Sequence, residues 1–224
     1  AIKDDTKNYG YPGYSTETGY TFDKWNPADT TEIHTTDIIV KAKATALADT
    51  IEKVDENTKK PDGYVEVKFV AGANGTVEEK TYFVNPNKYV TLTPPTATGN
   101  IGYEFGAWSK DATNPTNYKI DTTITASFNQ IKAVVPKVDD QTKKPDGYKT
   151  VTFKIEGKGG SFVEGETIVY YVDPNREVTL QAPQTNAETG YKFKAWDKNT
   201  ATPTKYDKDT TVKGNFEKQK DISP

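Results

Sequence analysis

The sequence predicts a mainly β chain built of small domains in tandem. Three observations point there. Gly19-Tyr20-Thr21-Phe22-Asp23-Lys24-Trp25 returns as Gly102-Tyr103-Glu104-Phe105-Gly106-Ala107-Trp108 and again as Gly190-Tyr191-Lys192-Phe193-Lys194-Ala195-Trp196, using every tryptophan in the chain. Lys59-Lys60-Pro61-Asp62-Gly63-Tyr64 returns unchanged, 84 residues later, as Lys143-Lys144-Pro145-Asp146-Gly147-Tyr148. Between these phrases apolar and polar residues alternate with the period of two that a half-buried strand requires.

Taken in order, Val67 and Phe69 point one way while Glu66 and Lys68 point the other, and Val151, Phe153 and Ile155 repeat the pattern. Gly72-Ala73-Asn74-Gly75 predicts a hairpin tip, and the third unit carries four extra residues there, around Gly157-Lys158-Gly159-Gly160. A second strand follows at Thr81–Val84 and Val169–Val172, ended by Asn85-Pro86 and Asp173-Pro174. Val90 with Leu92, and Val178 with Leu180, predict a third short strand. The Gly-Tyr-x-Phe-x-x-Trp strand comes next. A polar loop with Pro115 or Pro203 then leads to a last strand with Ile124, Ala126 and Phe128 inward. The alanine-rich Lys41–Lys53 aligns with Phe128–Lys137, which contains Pro136, so both read as extended links rather than helices. Val54–Pro61 and Val138–Pro145 read as short, stiff connectors between domains.

The expected organisation is an incomplete first repeat over 1–50, holding the back half only. A second repeat spans 51–136, a third spans 137–220, each with an N-terminal connector, and 221–224 is a tail. A half-repeat leaves strand edges open, so its missing strands are expected upstream, from another chain or from a rearrangement. The lack of methionine even at position 1 adds the expectation that the chain has been processed or cut from a longer protein.

Composition narrows the function classes. Only 33% of the 224 residues are hydrophobic, which suits several small domains better than one large core. The net charge is −3 with both signs interspersed, and Arg176 is the single arginine. That argues against a nucleic-acid or phosphate reader, which uses arginine for forked contacts. There is no cysteine, hence no disulfide, thiolate metal site or thiol nucleophile. No run is long and apolar enough to span a bilayer within this fragment.

The tryptophans read as core fillers, with sugar-stacking platforms as the competing reading. His34 is the one histidine and occupies the slot of Tyr118 and Tyr206, which favours packing over catalysis. Carboxylate pairs such as Asp139-Asp140 and Glu78-Glu79 read as solvated charge, and the reading is that the chain is not an enzyme. Asp55-Glu56-Asn57 and Asp139-Asp140-Gln141 lack the spacing of a calcium loop, and Gly157-Lys158-Gly159-Gly160-Ser161 lacks that of a phosphate loop. No catalytic, cofactor-binding or metal residues are therefore assigned. Tyr9, Tyr11 and Tyr14 form the one aromatic cluster outside the repeat pattern and are the candidate ligand contacts, for a host protein or a glycan, with disorder or packing in the missing half-repeat as the favoured competing reading. With lysine and asparagine abundant and no cysteine, a covalent Lys–Asn crosslink is an internal staple open to this composition.

The order of short phrases resembles the internalin B-type repeat family, in its divergent branch, found in Gram-positive cell-surface proteins. The residues that carry it are Val65–Val70, Val90-Thr91-Leu92, Gly102 to Trp108 and Asp121 to Phe128. The third unit follows with Val178-Thr179-Leu180, Gly190 to Trp196 and Asp209 to Phe216. The Lys-Lys-Pro-Asp-Gly-Tyr phrase also resembles streptococcal-type surface repeats. The resemblance implies β-grasp-like modules in an elongated array on a secreted or wall-anchored, extracellular protein. It implies no catalytic residues and no cofactor. The expected role is a stalk that projects a distal binding domain of an adhesin, with neighbouring repeats as partners; the alternative is a module that itself binds a host protein or glycan.

Overall fold

The computed structural model describes residues 13–26 and 39–220. Every regular element among them is a strand. The first repeat supplies β1 (Tyr20–Asn26) and β2 (Lys41–Ala46). The second supplies β3 (Thr50–Glu52), β4 (Val65–Ala71), β5 (Gly75–Val77), β6 (Lys80–Val84), β7 (Ala97–Gly99), β8 (Tyr103–Trp108) and β9 (Thr122–Gln130). The third supplies β10 (Val134–Pro136), β11 (Lys149–Glu156), β12 (Gly160–Phe162), β13 (Val169–Val172), β14 (Thr185–Ala187), β15 (Tyr191–Trp196) and β16 (Thr210–Lys218).

The second and third repeats build the same pair of sheets. One is five-stranded, in the order β3-β6-β4-β9-β8 and β10-β13-β11-β16-β15; the other is the two-stranded β5-β7 and β12-β14. In the third repeat β11 and β16 run parallel from Val151↔Thr210 to Glu156↔Asn215, flanked by antiparallel partners. A central parallel pair of first and last long strands gives the β-grasp-like order that the family resemblance implies. The first repeat is a hairpin of β1 with β2, and Trp25↔Ala42 and the bulge between Phe22 and Lys24 reproduce Trp196↔Gly214 and the bulge between Phe193 and Ala195. The link that reads as extended is indeed strand, in β2 and β3 and again in β9 and β10.

Alternation decides the cores. Val67, Phe69, Ile124 and Ala126 are buried in the second repeat, and Val151, Phe153 and Val212 in the third. Each sheet is closed over by Val90, Leu92 and Tyr118, or by Val178, Leu180 and Tyr206. The strand starts are pinned by the recurring Asp: Asp121 Oδ1 accepts the Glu66 amide and Asp209 Oδ1 the Thr150 amide, both at 2.7 Å. The second lysine of each Lys-Lys-Pro phrase stands beside it, at 3.8 Å for Lys60 and 3.7 Å for Lys144.

Four expectations need correction. Gly72–Gly75 turns the chain, with Asn74 at φ 71, but it does not close a hairpin. β4 pairs with β6, while β5 leaves to pair with β7, running under the Phe128 ring where Gly75 has no side chain. Val90 and Leu92 form no strand. Val90 makes a single bridge to Thr116, as Val178 does to Thr204, and the prolines that follow lack the donors to extend it. Val54–Pro61 does not separate domains, because β3 before it and β4 after it share one sheet through β6. Finally, the tryptophans do not lie at the centre. Trp108 and Trp196 are half-buried at the core rim, edge-on to the buried rings of Phe69 and Phe153 at 5.1 Å.

The described residues group into two compact units, and the division cuts across the second repeat. One unit holds the described residues to Val70 with Val77–Thr96 and Trp108–Thr125; the other holds Ala71–Thr76, Ala97–Ala107 and the described residues from Ala126 onward. β10 lies before the boundary expected at 136/137, yet it pairs with β13 of the third repeat.

Candidate functional site

Of the three candidate tyrosines, Tyr14 is described; Tyr9, Tyr11 and His34 lie outside the described residues. Tyr14 is 58% exposed and stacks on Phe22 with centroids 3.9 Å apart and planes 21° apart. Phe22 in turn meets Trp25 edge-on at 5.6 Å. Tyr14 and Phe22, with Glu17, Tyr20, Ala42 and Ala44, line a shallow cavity of about 260 Å³. Strand β1 sets Tyr20 and Phe22 on one side by its period of two, and β2 offers only small alanine side chains opposite. The surface is therefore flat and aromatic with one acid at its edge, a chemistry suited to stacking on a planar or sugar-like face.

Asp55, Asp139, Glu79 and Asp140 are engaged in local contacts. Asp55 Oδ1 accepts the amides of Asn57 and Thr58 and the Thr58 hydroxyl, all at 2.9 Å. Asp139 does the same with Gln141 and Thr142 at 2.8–3.0 Å. The threonine hydroxyl in each turn holds the carboxyl below its ordinary range. Glu79 pairs with Lys68 at 3.3 Å and Asp140 with Lys137 at 3.5 Å. Among the described residues no three His, Cys, Asp or Glu side chains gather as a metal site would need. The Gly157–Ser161 stretch runs into β12, and Gly159 packs under Tyr191.

The sequence missed a more extensive site, formed by the Lys-Lys-Pro-Asp-Gly-Tyr loops. Tyr64 and Tyr148 are buried, and their hydroxyls donate to the carbonyls of Ala48 and Lys132, each at 2.9 Å. Burial pushes both phenols up. The glycine before each has a positive φ, 76° at Gly63 and 75° at Gly147. That conformation turns a bare backbone surface toward the preceding repeat, and Thr18 packs on Gly63 as Ile101 packs on Gly147. A second contact lies alongside. Asn85 abuts Gly19, and Asp173 with Arg176 abuts Gly102. The Arg176 guanidinium donates to Asp173 Oδ2 at 2.7 Å, the Ile131 carbonyl at 2.6 Å and the Tyr148 hydroxyl at 3.3 Å. A groove of about 480 Å³ runs beside this joint, lined by Asn100, Tyr103, Phe105, Ile131 and Lys143–Asp146 among others. The signal was present in the unchanged return of a loop whose glycine no strand pattern explains.

Residues 65–132 match a family model described as the divergent InlB B-repeat domain. Residues 150–217 match one described as the Listeria-Bacteroides repeat domain. The first match falls on the second repeat and the other on the third. No curated protein and no solved structure matches the chain. The matched stretches start at β4 and within β11 and run to the end of the last long strand, so each matched repeat gains an edge strand, β3 or β10, from the residues before it. The joint residues Tyr64 and Tyr148 fall just outside the matched stretches.

Proposed function

We propose that this chain is a non-catalytic tandem-repeat stalk segment of a bacterial cell-surface adhesin, secreted or wall-anchored, that projects a distal binding domain. The observation that supports it best is the repeated joint. The same loop meets the preceding repeat twice, so repeats can be added in series without new contacts being designed. The match to B-type repeat families supports an extracellular setting. The recurring carboxylates are taken up in turns and strand caps, which supports a role without catalysis. Small-angle scattering tests the stalk. A compact chain of this length has a radius of gyration of about 17 Å. The stalk requires a clearly larger value, and a value at the compact figure rules it out.

The alternative, that a repeat itself binds a host protein or glycan, draws support from the stacked and exposed Tyr14–Phe22 pair. A glycan array and host-protein capture with the whole chain, repeated with Tyr14→Ala, is the test. Binding that persists in high salt and is lost in the variant favours it.

A further inference from the structure

The turn that opens the Gly-Tyr strand occurs three times, as Thr18-Gly19, Ile101-Gly102 and Thr189-Gly190. Its backbone is the same each time. The glycines have φ of 99°, 88° and 81°. Their carbonyls accept the amides of Leu47, Ile131 and Gln219 at 2.8, 2.8 and 2.9 Å. Its surroundings are not the same. Gly19 and Gly102 are buried, the first against Asn85, the second against Asp173 and Arg176. Gly190 is exposed, and among the described residues no atom lies within 4 Å of where its β-carbon would stand. Thr18 and Ile101 each meet the glycine of a Pro-Asp-Gly-Tyr loop, Ile101 while still 43% exposed, whereas Thr189 stands against no such glycine among the described residues.

We propose that the Thr189-Gly190 turn is a docking face for one further repeat of this kind, joined in series. Its Pro-Asp-Gly-Tyr loop would seat its bare glycine on Thr189, and its Asn-Pro or Asp-Pro turn would cover Gly190. Its tyrosine would donate to the Lys220 carbonyl, the position equivalent to Ala48 and Lys132. Within this chain the two such loops are already occupied, by Thr18 and Ile101, so the occupant is an additional repeat. Thr189 repeats the threonine that fits Gly63. The cleft beside the turn is lined by Lys192, Lys218 and Lys220 with Glu217, a cationic excess that complements the loop aspartate. This rests on the tandem-array part of the proposed function.

The test uses the whole chain extended in register after Lys220, once by a copy of residues 133–220 and once by a copy of residues 49–132. In nitrogen-labelled spectra the Thr189, Gly190 and Gln219 amide resonances should move by more than a linewidth. Those of Val151 and Phe153, deep in the third core, should not. Replacing the glycine equivalent to Gly147 in the added repeat by lysine should return the moved resonances to their positions in the parent chain. The proposal stands if either extension moves them with that reversal, and falls if neither does. Scattering from the same samples separates the two ideas: unmoved resonances in a lengthened particle sink the docking face alone, and moved resonances in a compact particle sink the stalk alone.

Discussion

Thr18-Gly19 on Gly63 and Asn85, and Ile101-Gly102 on Gly147 and Asp173, are one joint made with different side chains. The first uses a hydroxyl-bearing side chain and a neutral amide. The second uses an apolar side chain and a buried carboxylate, with Asp173 4% exposed at its side chain and paired to the one arginine. Where the sequences agree is the backbone: a positive-φ glycine on each side and a tyrosine hydroxyl on a carbonyl. Shape is thus kept by residues without side chains, and charge is free to vary above them. The difference also sets a dependence. A buried amide needs only hydrogen bonds, but a buried carboxylate needs its cation.

The largest expected effect concerns the cores that flank these joints. Phe153→Ala empties a fully buried site and should cost about 3–5 kcal/mol in urea titration followed by circular dichroism. Trp196→Ala should cost less, about 2 kcal/mol, because its ring is half-buried at the rim. The reverse order would restore the tryptophans to the centre of the fold.

Next comes the charge difference. Arg176→Ala strands the Asp173 carboxylate and should cost about 2–3 kcal/mol. Adding Asp173→Asn, which rebuilds the neutral chemistry of the first joint, should recover most of that loss. Lys88→Ala, the equivalent change beside Asn85, should cost under about 0.5 kcal/mol. Equal losses at Arg176 and Lys88 would mean that the two joints do not differ as described.

A smaller effect isolates the backbone fit. Gly147 and Gly157 have nearly equal φ, 75° and 79°, but a β-carbon at Gly147 would lie 2.6 Å from Ile101, while nothing stands near Gly157. Both changes to alanine carry the conformational strain, about 1 kcal/mol each. Gly147→Ala should cost about 1–2 kcal/mol more, and Ile101→Ala should remove that surplus. Identical losses would mean that Ile101 does not press on the loop.

The smallest effect is on pH dependence. Asp55 and Asp139 are held below their ordinary value of 3.8, so their contribution is present above about pH 4 and fades as pH falls through the lowered values. Tyr64 and Tyr148 are raised above 10.0, so theirs is complete below that value and fades as pH rises through the raised ones. With one histidine and no cysteine, the melting temperature should be flat between about pH 5 and 9. Asp139→Asn should soften the acid limb only. A step near neutral pH would contradict this flat profile.

Much of the fold was legible because alternation and turn residues are local. Val67 with Phe69, the strand over Thr81–Val84 and the extended link at Lys41–Lys53 all needed only neighbouring residues to read. What was missed depends on distant partners. The hairpin predicted at Gly72–Gly75 failed because β5 is claimed by β7, some twenty residues on. The polar look of Val54–Pro61 suggested a connector between domains, but β6, farther along the chain, holds β3 before it and β4 after it in one sheet. The return of tryptophan once in each repeat phrase suggested a core filler, but the period-two face of β4 already fills the centre with Val67 and Phe69. At the candidate ligand site only Tyr14 is within the described residues, and its partner Phe22 was hidden inside the repeat phrase.

The parallel run of β11 beside β16 has a mechanical meaning. Tension applied between the start of β11 and the end of β16 draws the two strands lengthwise past each other, so all the rungs from Val151↔Thr210 to Glu156↔Asn215 share the load at once. An antiparallel hairpin such as β1–β2, pulled from its open end, surrenders its rungs singly. The third repeat is thereby wired to resist a pull along its chain better than its modest core would suggest.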